Sequence, residues 1–140
     1  MKFTRKFVIP LFFNDIYKVT LPLTHRFPMQ KYRMVRDLLQ QEYANNSYVE
    51  FNPSPCATIG ELTTTHSSDY VTRYFSGKLT PEEIRNTGFP WSQEHVDRAI
   101  SSVGGTVAAM RHVLKSVVES KKQPGQEFFK QSRVGCHIAG

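Results

Sequence analysis

The amino-acid sequence predicts an α/β fold: a partial parallel sheet of about three strands with flanking helices. Three observations carry that reading. Short β-branched and aromatic runs stand at Phe7–Phe13 (FVIPLFF), Tyr48–Phe51 and Arg133–Gly140 (RVGCHIAG). Long amphipathic stretches separate them, and turn residues bound each run. Strands alternating with helices build parallel sheets, whose chemistry sits just beyond the carboxyl ends of the strands.

A chain of 140 residues predicts one domain, burying roughly 68% of its unfolded surface. Its hydrophobic fraction of 39%, with 12% aromatics, is too apolar for disorder. No apolar run approaches the roughly 18–20 residues of a membrane span, so no membrane partner is expected. Cys56 and Cys136 form no Cys-x-x-Cys pair, which predicts free thiols in a reducing, intracellular compartment. The start MKFTRKF is a poor secretory signal and a weak organelle-targeting one, because it lacks an apolar core and a cleavage site. The formal charge is +6, yet the cations are scattered and no nucleic-acid motif accompanies them. A solvated surface or a missing acidic half accounts for the excess, and no direct nucleic-acid partner is expected.

The elements follow in order. In FVIPLFF, Pro10 removes one ladder donor and points to an edge or bulge. Pro28 presets a helix start, and Met29, Tyr32, Val35, Leu38 and Leu39 follow at helical spacing to about Tyr43. After the strand at Tyr48–Phe51, Thr58-Ile-Gly-Glu61 is a capping box opening a short helix. A further helix, about Ser68 to Phe75, should stop at a left-handed Gly77. Thr80-Pro-Glu-Glu83 is a second capping box. Ser92 caps the longest helix, about residues 93–119, with Val96, Ile100, Val103, Val107, Met110, Leu114 and Val117 as its apolar stripe. Gly104-Gly105 in mid-helix costs about 1 kcal/mol per glycine, so the pair marks a tight helix–sheet crossing.

None of this supplies catalysis alone. The five histidines (His25, His66, His95, His112, His137) include no i, i+2 or i, i+4 pair, the local spacing of a metal clamp. His66, His95 and His112 read as surface or satisfied helix histidines. Cys136 and His137 are strand neighbours and point to opposite faces. No phosphate loop is present, and Asp69, Glu82 and Glu83 are explained by capping and helix surfaces.

Five strings in order, HRFPMQKYR (25–33), ELTTTHSSDYV (61–71), GKLTPEEIRNTGFPWS (77–92), SVGGTVAA (102–109) and the terminal Ala-Gly, resemble the amino-terminal part of zinc-dependent histone deacetylase-like proteins of the class IV and bacterial-type branch. The resemblance covers nearly the whole chain. It implies the amino-terminal half of an arginase/deacetylase-type domain, with residues 1–140 ending before a Gly-x-His-His motif. In that family the histidine pair, the zinc ligands and a transition-state tyrosine lie further on, and zinc activates the water that attacks an acetyl-lysine amide. The expectation is a hydrolase portion that is inactive alone. No cofactor is held by this chain itself, zinc belongs to the completed domain, and an acetylated protein or small acetylated molecule is its substrate. The alternative is a non-catalytic binding module that kept the scaffold and holds an acidic partner.

By the same resemblance some supporting positions carry over. Arg33 matches an arginine beside an internal product channel, against the plainer reading of a surface cation. His25, Pro28 and Met29 match the first loop near the substrate tunnel, and Gly140 matches a glycine beside its floor. Phe89 and Trp91 line the opposite rim or staple the long helix. No metal ligand and no catalytic residue is assigned.

Overall fold

A computed structural model describes residues 8–121 and 133–139. In chain order the elements are β1 (Ile9–Phe13), α1 (Lys31–Glu42), β2 (Val49–Pro53), α2 (Ile59–Leu62), α3 (Ser68–Phe75), α4 (Pro81–Thr87), α5 (Gln93–Lys121) and β3 (Cys136–Ile138). The strands form one parallel sheet in the order β2-β1-β3. The α/β character and the small open sheet with flanking helices are thereby established. Among the described residues no helix is long and apolar enough to cross a membrane.

Register decides which face each strand residue shows. Phe12 pairs with His137, and Phe13 with Ile138, so Phe13 and His137 stand on opposite faces. The Arg36 guanidinium of α1 lies 4.6 Å over the Phe13 ring. On the other face, Thr106 of α5 is bonded to His137. The sheet is therefore sandwiched, with α1 on one side and α5 on the other.

The Gly104-Gly105 crossing is close indeed. A Cβ at Gly104 would stand 1.9 Å from the Pro55 carbonyl oxygen, and one at Gly105 would stand 2.4 Å from both His137 Nε2 and Ser54 Oγ. Backbone fills the space at Gly104, and the His137 and Ser54 side chains fill it at Gly105. The Ala57 N–H, donating to the Ile100 carbonyl at 2.9 Å, ties the loop after β2 to α5 at the same place.

Local chemistry fixes the remaining helices. The boxes at Thr58–Glu61 and Thr80–Glu83 both close, Pro81 opens α4, and Gly88 ends it in the left-handed region. Gly77 takes φ +70° after α3, beneath the Trp91 ring. Ser92 caps α5, its Oγ accepting from the His95 N–H at 3.1 Å.

Three expectations are corrected. Helix α1 begins at Lys31 rather than at Pro28, which instead turns the chain by accepting the Lys31 N–H. The last strand is only Cys136–Ile138, because Gly135 is pressed on the Ala109 carbonyl and leaves the ladder. The stripe of α5 is not buried throughout: Val96 is fully covered, whereas Met110 is 55% exposed and Leu114 is equally open.

Candidate functional site

The three parallel strands all end at one edge, and each delivers a polar residue there. Asn14 follows β1, Ser54 follows β2, and His137 stands in β3. The Ser54 N–H donates to the Phe13 carbonyl at 2.7 Å, so the end of β2 is clamped to the end of β1. His137 is held at both nitrogens, Nε2 by Ser54 Oγ at 3.1 Å and Nδ1 by Thr106 Oγ1 at 3.0 Å. Thr106 Oγ1 also donates to the Ser102 carbonyl, so it accepts from His137 Nδ1–H. In the neutral imidazole Nε2 then accepts from the Ser54 hydroxyl. Burial, and then the Arg98 cation, push the His137 pKa below its ordinary value. The same two causes, in the same order, lower His95.

Arg98 joins the two layers beyond the edge of the sheet. It grows from α5, and its guanidinium lies 3.9 Å from the centre of the Tyr32 ring of α1. Its Nη1 donates to Asn14 twice, to the side-chain Oδ1 at 3.1 Å and to the carbonyl at 3.3 Å. Arg98 is 8% exposed and Asn14 is 0% exposed.

An aromatic rim continues outward. Tyr32 tilts towards Phe27, which meets Phe89 edge-on at 5.1 Å between ring centres. Phe89 stacks on His25 at 5.4 Å and lies 4.9 Å from His95, one turn before Arg98 on α5. His25 Nδ1 accepts the Phe27 N–H, so its Nε2–H is the donor to the Gly88 carbonyl, each at 3.2 Å. One imidazole thus pins the loop before α1 to the loop after α4.

Of the residues singled out from sequence, His25 and Phe89 come together in this rim, and Met29 is half-buried beside it in the chain, with Pro28 exposed. Trp91 stands apart: its Nε1 donates to the Tyr74 carbonyl at 2.7 Å and its ring covers Gly77, so it fastens the end of α3 to the start of α5. Gly140 lies outside the described residues. The Arg33 side chain is 65% exposed and pairs with Asp37 at 3.7 Å. Helical phase explains this, since Tyr32 is the buried centre of α1 and Arg33 is a step of about 100° from it. Arg36, one turn after Tyr32, is the arginine that turns inward, pairing with Asp15 at 3.0 Å.

Sequence reasoning passed over Arg98, Asn14 and Ser54. The available signal was Arg98 itself, a cation between Val96 and Ile100 on the apolar side of α5. Among the described residues no three of His, Cys, Asp and Glu gather as metal ligands. Asn14, Ser54, Arg98 and His137 do not make the donor set of a zinc ion.

No family model matches the chain. It is 36% identical over 107 residues to an uncharacterized protein of the cyanobacterium Picosynechococcus sp.. That stretch is 76% of this chain and 35% of the relative, so the chain spans about a third of the relative's length.

Proposed function

We propose that this chain is the amino-terminal portion of a zinc-dependent, histone deacetylase-like amide hydrolase of arginase/deacetylase type, acting on acetylated lysine. The observation that supports the reading best is a continuous run of contacts. The His25–Met29 loop, Phe89 and the carboxyl ends of β1, β2 and β3 are linked through Tyr32 and Arg98. The loop, Tyr32 and Phe89 belong to strings that resemble the family, and they meet the strand ends where parallel sheets place their chemistry. The role of this portion is scaffolding: a neutral His137, an aromatic rim, and a floor where α5 crosses the sheet. The zinc ligands and the reacting groups belong to sequence beyond Gly140, as the family pattern implies. Their chemistry is polarisation of the amide carbonyl and activation of water.

The test is to express the chain alone and with its downstream coding sequence. The extended protein is expected to carry stoichiometric zinc by elemental analysis and to hydrolyse an acetyl-lysine peptide until a chelator is added. The 140-residue chain should do neither. An extended protein without zinc or hydrolysis would overturn the reading and leave the non-catalytic module for an acidic partner in its place.

A further inference from the structure

Among the described residues the buried guanidinium of Arg98 has no counter-charge. No carboxylate among the described residues comes within ion-pair distance of it, although five other ion pairs form among those residues. Its hydrogen bonds all use Nη1 and all go to Asn14. A second observation lies on the same pair. Asn14 Nδ2 is buried and has no hydrogen-bond partner. Flipping the amide cannot cure this, because Oδ1 must face the donor Nη1, and the flipped form would set donor against donor. Asn14 Nδ2 therefore holds unspent N–H donors beside a guanidinium that carries a full charge. Buried donors of this kind are nearly always satisfied, and an uncompensated buried charge is among the costlier defects a fold can carry.

We propose that Arg98 and Asn14 form a receptor for one carboxylate group at the carboxyl end of β1. A carboxylate has the charge that Arg98 lacks. It also has two oxygens, which a guanidinium and an amide N–H can share in plane. With Arg98 and Asn14 both buried, the group is a small headgroup, delivered either as a small free acid or as an Asp or Glu side chain of another polypeptide segment. This inference does not depend on the hydrolase reading.

The experiment follows the Arg98 Nε–Hε resonance of the ¹⁵N-labelled chain, assigned with Arg98→Lys. Sodium formate, a blocked aspartate and sodium chloride are titrated at matched ionic strength. Formate or the blocked aspartate is expected to give a saturable shift, with half-saturation at about 10 mM. A blocked aspartate acting at tenfold lower concentration than formate identifies a protein side chain as the source, and the reverse order identifies a free acid. Asn14→Asp should place the carboxylate internally and weaken the formate response at least tenfold, and this variant serves even where Arg98→Lys does not fold. An equal shift with chloride, meaning an adventitious ion only, would overturn the proposal. So would no saturable shift, or an undiminished formate response in Asn14→Asp.

Discussion

Where α5 crosses the sheet, the chain is held by what is missing from it. Gly104 and Gly105 have no Cβ, and the Pro55 carbonyl, the Ser54 hydroxyl and the His137 ring fill that space. Where α2, α3 and α4 begin, the chain is held by side chains that are present. Thr58, Ser67 and Thr80 each accept an N–H three residues on. The first kind of contact ties together residues some 30 to 50 positions apart, and it tolerates no added atom. The second is spent within one helical turn, and its loss stays there. The crossing accordingly belongs with the candidate site, since His137 and Ser54 are shared between them, whereas the caps only keep the periphery in shape.

The largest expected effect is at the crossing. In an exposed helix, Gly→Ala would stabilise by about 1 kcal/mol. At Gly104 the methyl would overlap backbone that cannot swing aside, and overpacking of this kind costs about 1–3 kcal/mol or more. The steric cost outweighs the propensity gain, so Gly104→Ala should lower stability in urea by about 2 kcal/mol or more. Gly105→Ala should cost less, because the His137 and Ser54 side chains can shift, but it should disturb their mutual hydrogen bond. A Gly104→Ala chain as stable as wild type would mean that α5 does not lie this close to the Pro55 loop.

The same contrast explains what sequence reveals. The two capping boxes, Gly77 and Ser92 are local signals, and each forms as its spacing predicts. The Gly104-Gly105 pair was also legible, because two glycines inside a long helix need a compensating contact. Arg98 was not legible as the centre of a site, since its partner Asn14 lies 84 residues away and Asn14-Asp15 reads locally as a turn. The start of α1 misled for a related reason: Pro28 suits a first helical position, but it is used in the turn that delivers Phe27 to Tyr32 and Phe89. The family reading of Arg33 rests on a string match, which carries no helical phase, and the side chain stands exposed beside Asp37.

A second effect, of intermediate size, separates the site from the periphery by pH. His95 and His137 have pKa values lowered in the folded chain, by burial first and by Arg98 second. Above about pH 6.5 both are neutral, folded or unfolded. As pH falls through that value the unfolded chain takes up protons first, so stability declines until the lowered folded pKa is reached. The limit is one proton per histidine, about 1.4 kcal/mol per pH unit each. Glu61 and Glu83 act in a lower window, because their pKa values are depressed: Glu61 by its bonds to Thr58, and Glu83, to about 2, by Arg73 and then by Thr80. Their stabilisation is present above the ordinary carboxylate range and is lost as pH falls below it. Urea midpoints at pH 7, 6 and 5 should therefore fall in wild type and fall less in His137→Gln and in His95→Gln. Parallel profiles in all three proteins would show that neither imidazole is held neutral by the fold.

The smallest effect is at the caps, and it tests whether the two regions are separate at all. Thr80→Ala removes the acceptor for the Glu83 N–H at 3.2 Å and should cost about 1 kcal/mol. Serine at the same position should restore most of it, because the oxygen rather than the methyl does the capping. Glu83 keeps its fork from Arg73, whose Nη2 donates to Oε1 at 2.8 Å, so the start of α4 should fray without leaving the end of α3. Combined with Gly105→Ala, the loss should be additive within about 0.5 kcal/mol, as for sites that share no partner. Coupling well beyond that would mean that α4 reaches the crossing through Gly88, His25 and the aromatic rim. In that case the rim would be part of what positions His137.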